Sequence, residues 1–155
     1  MKHLKIGELA PVFEGVDQEN KHISIKDFNG KKIALYFYPK DSTPGCTAQA
    51  CSLRDEYSAL LKNNIQVIGV SADSVSSHQK FAEKQALPFP LLADTDRKVI
   101  ELYGVWGQKK FMGKTYDGIH RMTFLINEDG KIEQIWEKVN TKEHAKEILD
   151  FLKNK

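Results

Sequence analysis

The sequence predicts an α/β fold in which a central mixed β-sheet is flanked by helices. Two observations carry that expectation. Residues 32–38 and 65–70 are apolar, β-favouring runs, each followed by a stretch with helical periodicity. Near the end, residues 119–127 and 131–138 read as two strands joined at Glu128-Asp129-Gly130, the pattern of an antiparallel hairpin. With 155 residues and 41% hydrophobic content the chain can bury a full core without staples, so one domain spanning 1–155 is expected.

Taken in order, two short strands are expected at 12–16 and 22–25, before a turn at Asp27-Phe28-Asn29-Gly30. The strand at 32–38 leads to a helix from Cys46 to about Asn63, with Ala50, Leu53, Tyr57, Leu60 and Leu61 on one face. The order then repeats: a strand at 65–70, a helix at 74–86, a short strand at 91–93 after Pro88 and Pro90, and a short helix at 97–103. After the hairpin, Thr141-Lys142-Glu143-His144 opens an amphipathic helix running to Leu152. Parallel βαβ units followed by a hairpin and a closing helix describe a thioredoxin-like fold.

Composition excludes several function classes. The net charge of +2 comes from 23 basic and 21 acidic residues spread along the chain, which indicates neither a nucleic acid nor a membrane partner. No apolar run approaches the roughly 18 to 20 residues of a membrane span, and residues 1–15 lack the apolar stretch of a signal peptide. Two cysteines cannot staple a scaffold, so a reducing, cytoplasmic setting is expected. The histidines at 3, 22, 78, 120 and 144 have no metal-ligand spacing, and no glycine loop suits a phosphate, so no cofactor is expected. Ser71 lacks the second glycine of a nucleophile elbow and reads as a strand end. Lys109, Lys110 and Lys114 around Phe111-Met112-Gly113 read as a solvated basic loop.

The chemistry concentrates in Tyr38-Pro39-Lys40-Asp41-Ser42-Thr43-Pro44-Gly45-Cys46-Thr47-Ala48-Gln49-Ala50-Cys51, which holds both cysteines. Cys46 falls in the first helical turn after Pro44-Gly45 breaks the strand, where unpaired N–H groups and the helix dipole favour a thiolate. Cys51, five positions later, suggests a disulfide partner, and the pair reads as a thiol enzyme. The plainer alternatives are a small buried hydrophobe for either cysteine, a turn or cap for Thr43, and a surface or ion-pair role for Arg121.

Residues 39–47 with Cys51, then Gly69-Val70-Ser71-Ala72-Asp73, Val105-Trp106-Gly107, Lys114-Thr115-Tyr116-Asp117-Gly118 and Arg121 before Phe124-Leu125-Ile126, resemble the peroxiredoxins of the bacterioferritin comigratory (Q-type) group. The resemblance implies a thioredoxin-dependent thiol peroxidase for hydrogen peroxide and organic hydroperoxides, active in antioxidant defence. It makes Cys46 the peroxidatic and Cys51 the resolving cysteine, paired in an intramolecular disulfide. Pro39, Thr43 and Arg121 complete the peroxide pocket, and Gly45 joins Thr43 and Arg121 in binding substrate. A thioredoxin-like dithiol protein is the implied reductant, and a monomer the implied state. Gln49 departs from the glutamate of many relatives. A general disulfide oxidoreductase is disfavoured, because four residues separate the cysteines instead of the two of C-x-x-C, and no repeat or charged tail supports a binding or holdase module.

Elementary chemistry ranks the contributions. A thiol of pKa about 8.5 is about 3% ionised at pH 7, so full ionisation gains at most roughly 30-fold, and lower nucleophilicity removes most of that. Donors aimed at the departing peroxide oxygen must therefore supply most of the acceleration, a task for Arg121, Thr43 and backbone N–H groups.

Overall fold

The computed structural model describes residues 3–154. Along them run β1 (Glu14–Val16), β2 (His22–Ser24), β3 (Lys32–Phe37), α1 (Pro44–Asp55), α2 (Tyr57–Lys62), β4 (Ile65–Ser71), α3 (Val75–Gln85) and β5 (Leu91–Ala93). There follow α4 (Lys98–Leu102), β6 (Trp106–Phe111), β7 (Lys114–Ile119), β8 (Met122–Ile126), β9 (Ile132–Trp136) and α5 (His144–Lys153). The main sheet has the order β5-β4-β3-β8-β9. Its first three strands are parallel, while β8 runs antiparallel to both its neighbours, β3 and β9, giving the expected mixed sheet of a thioredoxin-like fold.

Alternation along β3 divides the core in two. Ile33, Leu35 and Phe37 face a cluster with Phe13, Ile23, Val99, Tyr103 and Phe124. Ala34, Tyr36 and Tyr38 face the opposite cluster, where Ala50, Leu53, Leu60, Phe81 and Ile148 bring four helices onto the sheet and Cys46 is also buried. Ser71 is the last residue of β4, as its sequence context predicts.

Three features differ from expectation. The helix begins at Pro44, two residues early, because proline fits the first helical position, where an N–H has no partner to lose. It also breaks at Glu56 (φ −107°, ψ 14°), and α2 continues in a new direction. The break leaves Leu60 buried but Leu61 44% exposed, so Leu61 does not share the buried face assigned to it. The basic loop is instead a hairpin, β6 with β7, turned at Met112 and Gly113, whose φ angles of 52° and 79° suit a tight two-residue connection. Residues 108–117 face largely outward, so no apolar alternation marked these strands. The predicted strand at 119–127 divides accordingly: Ile119 ends β7, Met122 begins β8, and Arg121 lies in the connection.

Gly69 in β4 sits where a Cβ would come within 2.8 Å of both Leu91 Cδ2 and the Tyr36 ring. The absent side chain makes room for Tyr36 beneath α1. Gly69→Ala should lower stability by about 1–3 kcal/mol in urea denaturation; no change would show that the Tyr36 ring is free to yield.

Candidate active site

The site is assembled where β3 hands over to α1. Thr43 is the N-cap in extended conformation, Pro44 and Gly45 follow, and Cys46 stands third in the helix. The Thr43 side chain does not cap. Its hydroxyl instead donates to the Lys40 carbonyl at 2.9 Å, leaving its lone pairs to accept from a ligand. The first helical bond runs from Thr47 N to Thr43 O at 2.8 Å, so the N–H groups of Gly45 and Cys46 precede the intrahelical ladder. Cys46 is 1% exposed, so its sulfur is shielded from bulk water.

Arg121 reaches this sulfur from the far side of the chain. Nη2 lies 3.4 Å from Cys46 Sγ, while Nη1 donates to Gln49 Oε1 at 2.6 Å. One turn of α1 thus presents Cys46 and Gln49 on the same face to the two arms of one guanidinium. Gly45 belongs to the arrangement for a steric reason: a Cβ there would stand 3.2 Å from Arg121 Nη2. Pro39 is half-buried in the loop before α1 and has no N–H to offer.

The loop is held from below by a buried network. Asp41 Oδ1 accepts from the Tyr38 hydroxyl at 2.6 Å, and Oδ2 accepts from Ser77 at 2.8 Å and faces His78 Nδ1 at 2.7 Å. The Asp41 N–H donates to Asp73 Oδ2 at 2.8 Å, which also accepts from Ser71 at 2.7 Å, and His78 Nε2 lies 3.0 Å from Leu92 O. Asp41, Asp73 and His78 offer ligand atoms within 4.8 Å of one another, yet these atoms already serve the network, which is a loop anchor in chemical character. It positions Thr43 by fixing the chain two residues upstream.

Two further titratable groups lie within electrostatic range of the sulfur. Tyr36 has a buried hydroxyl without a hydrogen-bond partner among the described residues, and burial foremost, then Cys46, pushes its phenol well above the usual range. Lys109 on β6 donates to Ile119 O at 2.9 Å. Burial and then Arg121 lower its pKa, while Cys46 opposes the shift, which places a second ammonium in the field of the thiol. Cys51 lies on the other side of α1, half-buried, with Sγ 3.5 Å from Gln85 Oε1; both cysteines are free thiols.

Residues 6–135 match the AhpC/TSA family. The chain belongs to that family, among its Bcp-type peroxiredoxins. A putative peroxiredoxin Bcp of Haemophilus influenzae is 50% identical over 99% of both chains. Among solved structures, PrxQ of Xylella fastidiosa superposes with a TM-score of 0.88 at 32% identity, covering 99% of this chain and 98% of the other. The bacterioferritin comigratory protein of Xanthomonas campestris, described for its alkyl peroxide reduction activity, gives 0.85 at 34%, covering 92% and 90%.

In this peroxiredoxin the fold brings Arg121 against Cys46 and Gly45, keeps Thr43 at the N-cap of the same helix with its hydroxyl on Lys40, leaves Pro39 half-buried in the preceding loop, and turns Cys51 toward Gln85. Sequence reading missed Asp41, His78, Tyr36 and Lys109. The alternation of β3 could have flagged Tyr36 as inward-facing, whereas Lys109 gave no signal, being one of three lysines in a polar segment. Gly45→Ala should slow the reaction of Cys46 with hydrogen peroxide by roughly 10-fold through the displaced guanidinium. Helix propensity predicts equal or higher thermal stability for the same variant. Unchanged peroxide kinetics would show that Arg121 does not depend on the space at Gly45.

Proposed function

We propose that this enzyme reduces hydrogen peroxide and organic hydroperoxides through Cys46 and forms a Cys46–Cys51 disulfide that a thioredoxin-like dithiol protein reduces. The observation that carries the reading is the 3.4 Å approach of Arg121 Nη2 to a buried sulfur in the first turn of α1. The Cys46 thiolate attacks the terminal peroxide oxygen, an S–O bond forms, and the O–O bond breaks. The departing oxide takes a proton and leaves as alcohol or water. Arg121 and the N–H groups of Gly45 and Cys46 stabilise negative charge as it builds on the oxygens, where preorganised donors act most strongly. Thr43 accepts the hydrogen of the incoming hydroperoxide, having spent its own proton on Lys40.

Resolution requires movement. Residues five apart in an intact helix have Cα atoms about 8.6 Å apart, whereas a disulfide tolerates about 7 Å. Because α1 is continuous from Pro44 to Asp55, its first turns must unwind before Cys51 attacks the Cys46 sulfenic acid and releases water. Slow unwinding exposes Cys46 to a second peroxide and irreversible sulfinic acid. Free thiols favour work in the reducing cytoplasm as an antioxidant. The pairing of early β3 with late β8 supports one domain over 1–155, and we take the working unit to be a monomer that needs no prosthetic group.

Rapid mixing of the reduced protein with one equivalent of hydrogen peroxide, with intact mass of trapped products, tests the cycle. Two thiols should be lost quickly to an internal disulfide, none in Cys46→Ser, and Cys51→Ser should stop at sulfenic acid. Oxidation no faster than that of a free thiol would sink the reading. Amide exchange over residues 46–53 should be faster in the disulfide form than in the reduced form, and equal exchange would remove the unwinding step.

A further inference from the structure

Cys51 has surroundings unlike those of Cys46. Its Sγ points toward α3, 3.5 Å from Gln85 Oε1. A carboxamide oxygen only accepts, so this contact uses the S–H proton and favours the thiol. One turn along the same face of α1, Arg54 donates from Nη1 to the Gln85 backbone carbonyl at 2.6 Å. Asp55 Oδ1 engages Arg54 Nε and Nη2, each at 2.9 Å. Gln85 therefore grips both neighbours, its side chain holding the Cys51 proton and its carbonyl holding Arg54. It closes α3, with Ala86 beyond it at φ 52°, and a guanidinium is favoured at such a helix end. Arg54 holds its own proton more firmly than usual, chiefly through Asp55 and in smaller part through Cys51.

We infer that Arg54 is the positioning residue of the resolving step, a cation that travels with Cys51 as α1 opens and favours the thiolate that attacks Cys46. Gln85 stays behind on α3, so opening removes the acceptor that holds the thiol, releases Arg54 Nη1 from the Gln85 carbonyl, and leaves the freed cation three residues from Cys51. The inference rests on the proposed role of Cys51. In the step, Cys51 loses its proton to solvent, its sulfur bonds to the sulfur of the Cys46 sulfenic acid, the S–O bond breaks, and hydroxide leaves to become water. Tyr36 on β3 also lies within electrostatic range of Cys51, but its phenol, kept well above its usual range by burial, brings no charge. Asp55, bonded to Arg54, offsets part of the guanidinium charge.

The test is the rate of the second, resolving phase after peroxide addition, followed by tryptophan fluorescence from pH 5 to 9 in wild type, Arg54→Met and Arg54→Lys. Loss of a nearby opposite charge should move the midpoint of the pH profile up by about one unit in Arg54→Met. With lower nucleophilicity of the more acidic thiol included, the rate at neutral pH should fall about threefold. Arg54→Lys should keep the midpoint, and the first phase should keep its wild-type rate in both variants. If Arg54 only clamps α1 to α3, its loss frees the helix and the resolving phase speeds up at every pH with an unmoved midpoint, which overturns the inference. A midpoint unmoved with the rate unchanged overturns it equally. Absence of any Cys46–Cys51 disulfide in wild type would instead overturn the role of Cys51 and the inference with it, an outcome that the mass of the wild-type product separates from the others.

Discussion

Everything at the site depends on holding one sulfur between the first turn of α1 and the guanidinium of Arg121. The two partners are 75 residues apart in the chain and meet because β8 lies antiparallel beside β3 in the sheet. The loop after β3 starts the helix, and the connection into β8 delivers Arg121 to its open end. A sulfur in either element alone would keep the helix terminus or the cation, and only the strand order supplies both.

The proposed cycle asks the same helix to be rigid for one step and yielding for the next. Rigidity comes from below, through Asp41 and its bonds to Tyr38, Ser77, His78 and Asp73, and from Leu53 and Ala50, which are fully buried. Willingness to open is also built in. Gly45 lowers helix propensity in the first turn, and the break at Glu56 limits how far unwinding must travel. The Tyr36 hydroxyl and Gln49 Nε2 are buried beside α1 without hydrogen-bond partners among the described residues. A buried unsatisfied polar group costs about 1–3 kcal/mol, and opening the helix returns such a group to water. The departure at Gln49 fits this account, since a neutral carboxamide engages one arm of Arg121 and leaves the guanidinium's charge uncompensated toward Cys46.

Legibility in the sequence followed the physical origin of each signal. Strands buried on both faces, such as β3 and β4, are apolar apart from Lys32, Gln66 and Ser71 and stand out, and proline and glycine mark the start of α1. The β6–β7 hairpin was unreadable because its residues are mostly exposed and its pattern is not one of burial. Glu56, an ordinary helix former, gives no warning of the break between α1 and α2. Asp41 and His78 are 37 residues apart, and their pairing depends on how α3 lies over the sheet.

The sequence by itself determined the fold class and the place of Cys46 in the first turn of a helix, because periodicity and helix-breaking residues are properties of neighbours along the chain, whereas Arg121 was singled out only by the resemblance to a family. The tertiary structure decided which way Cys51 faces, what anchors the loop beneath Thr43, and that Lys109 and Tyr36 stand near the sulfur. Those facts arise from contacts between segments distant in sequence, and only the packed sheet brings them within hydrogen-bonding and Coulombic range.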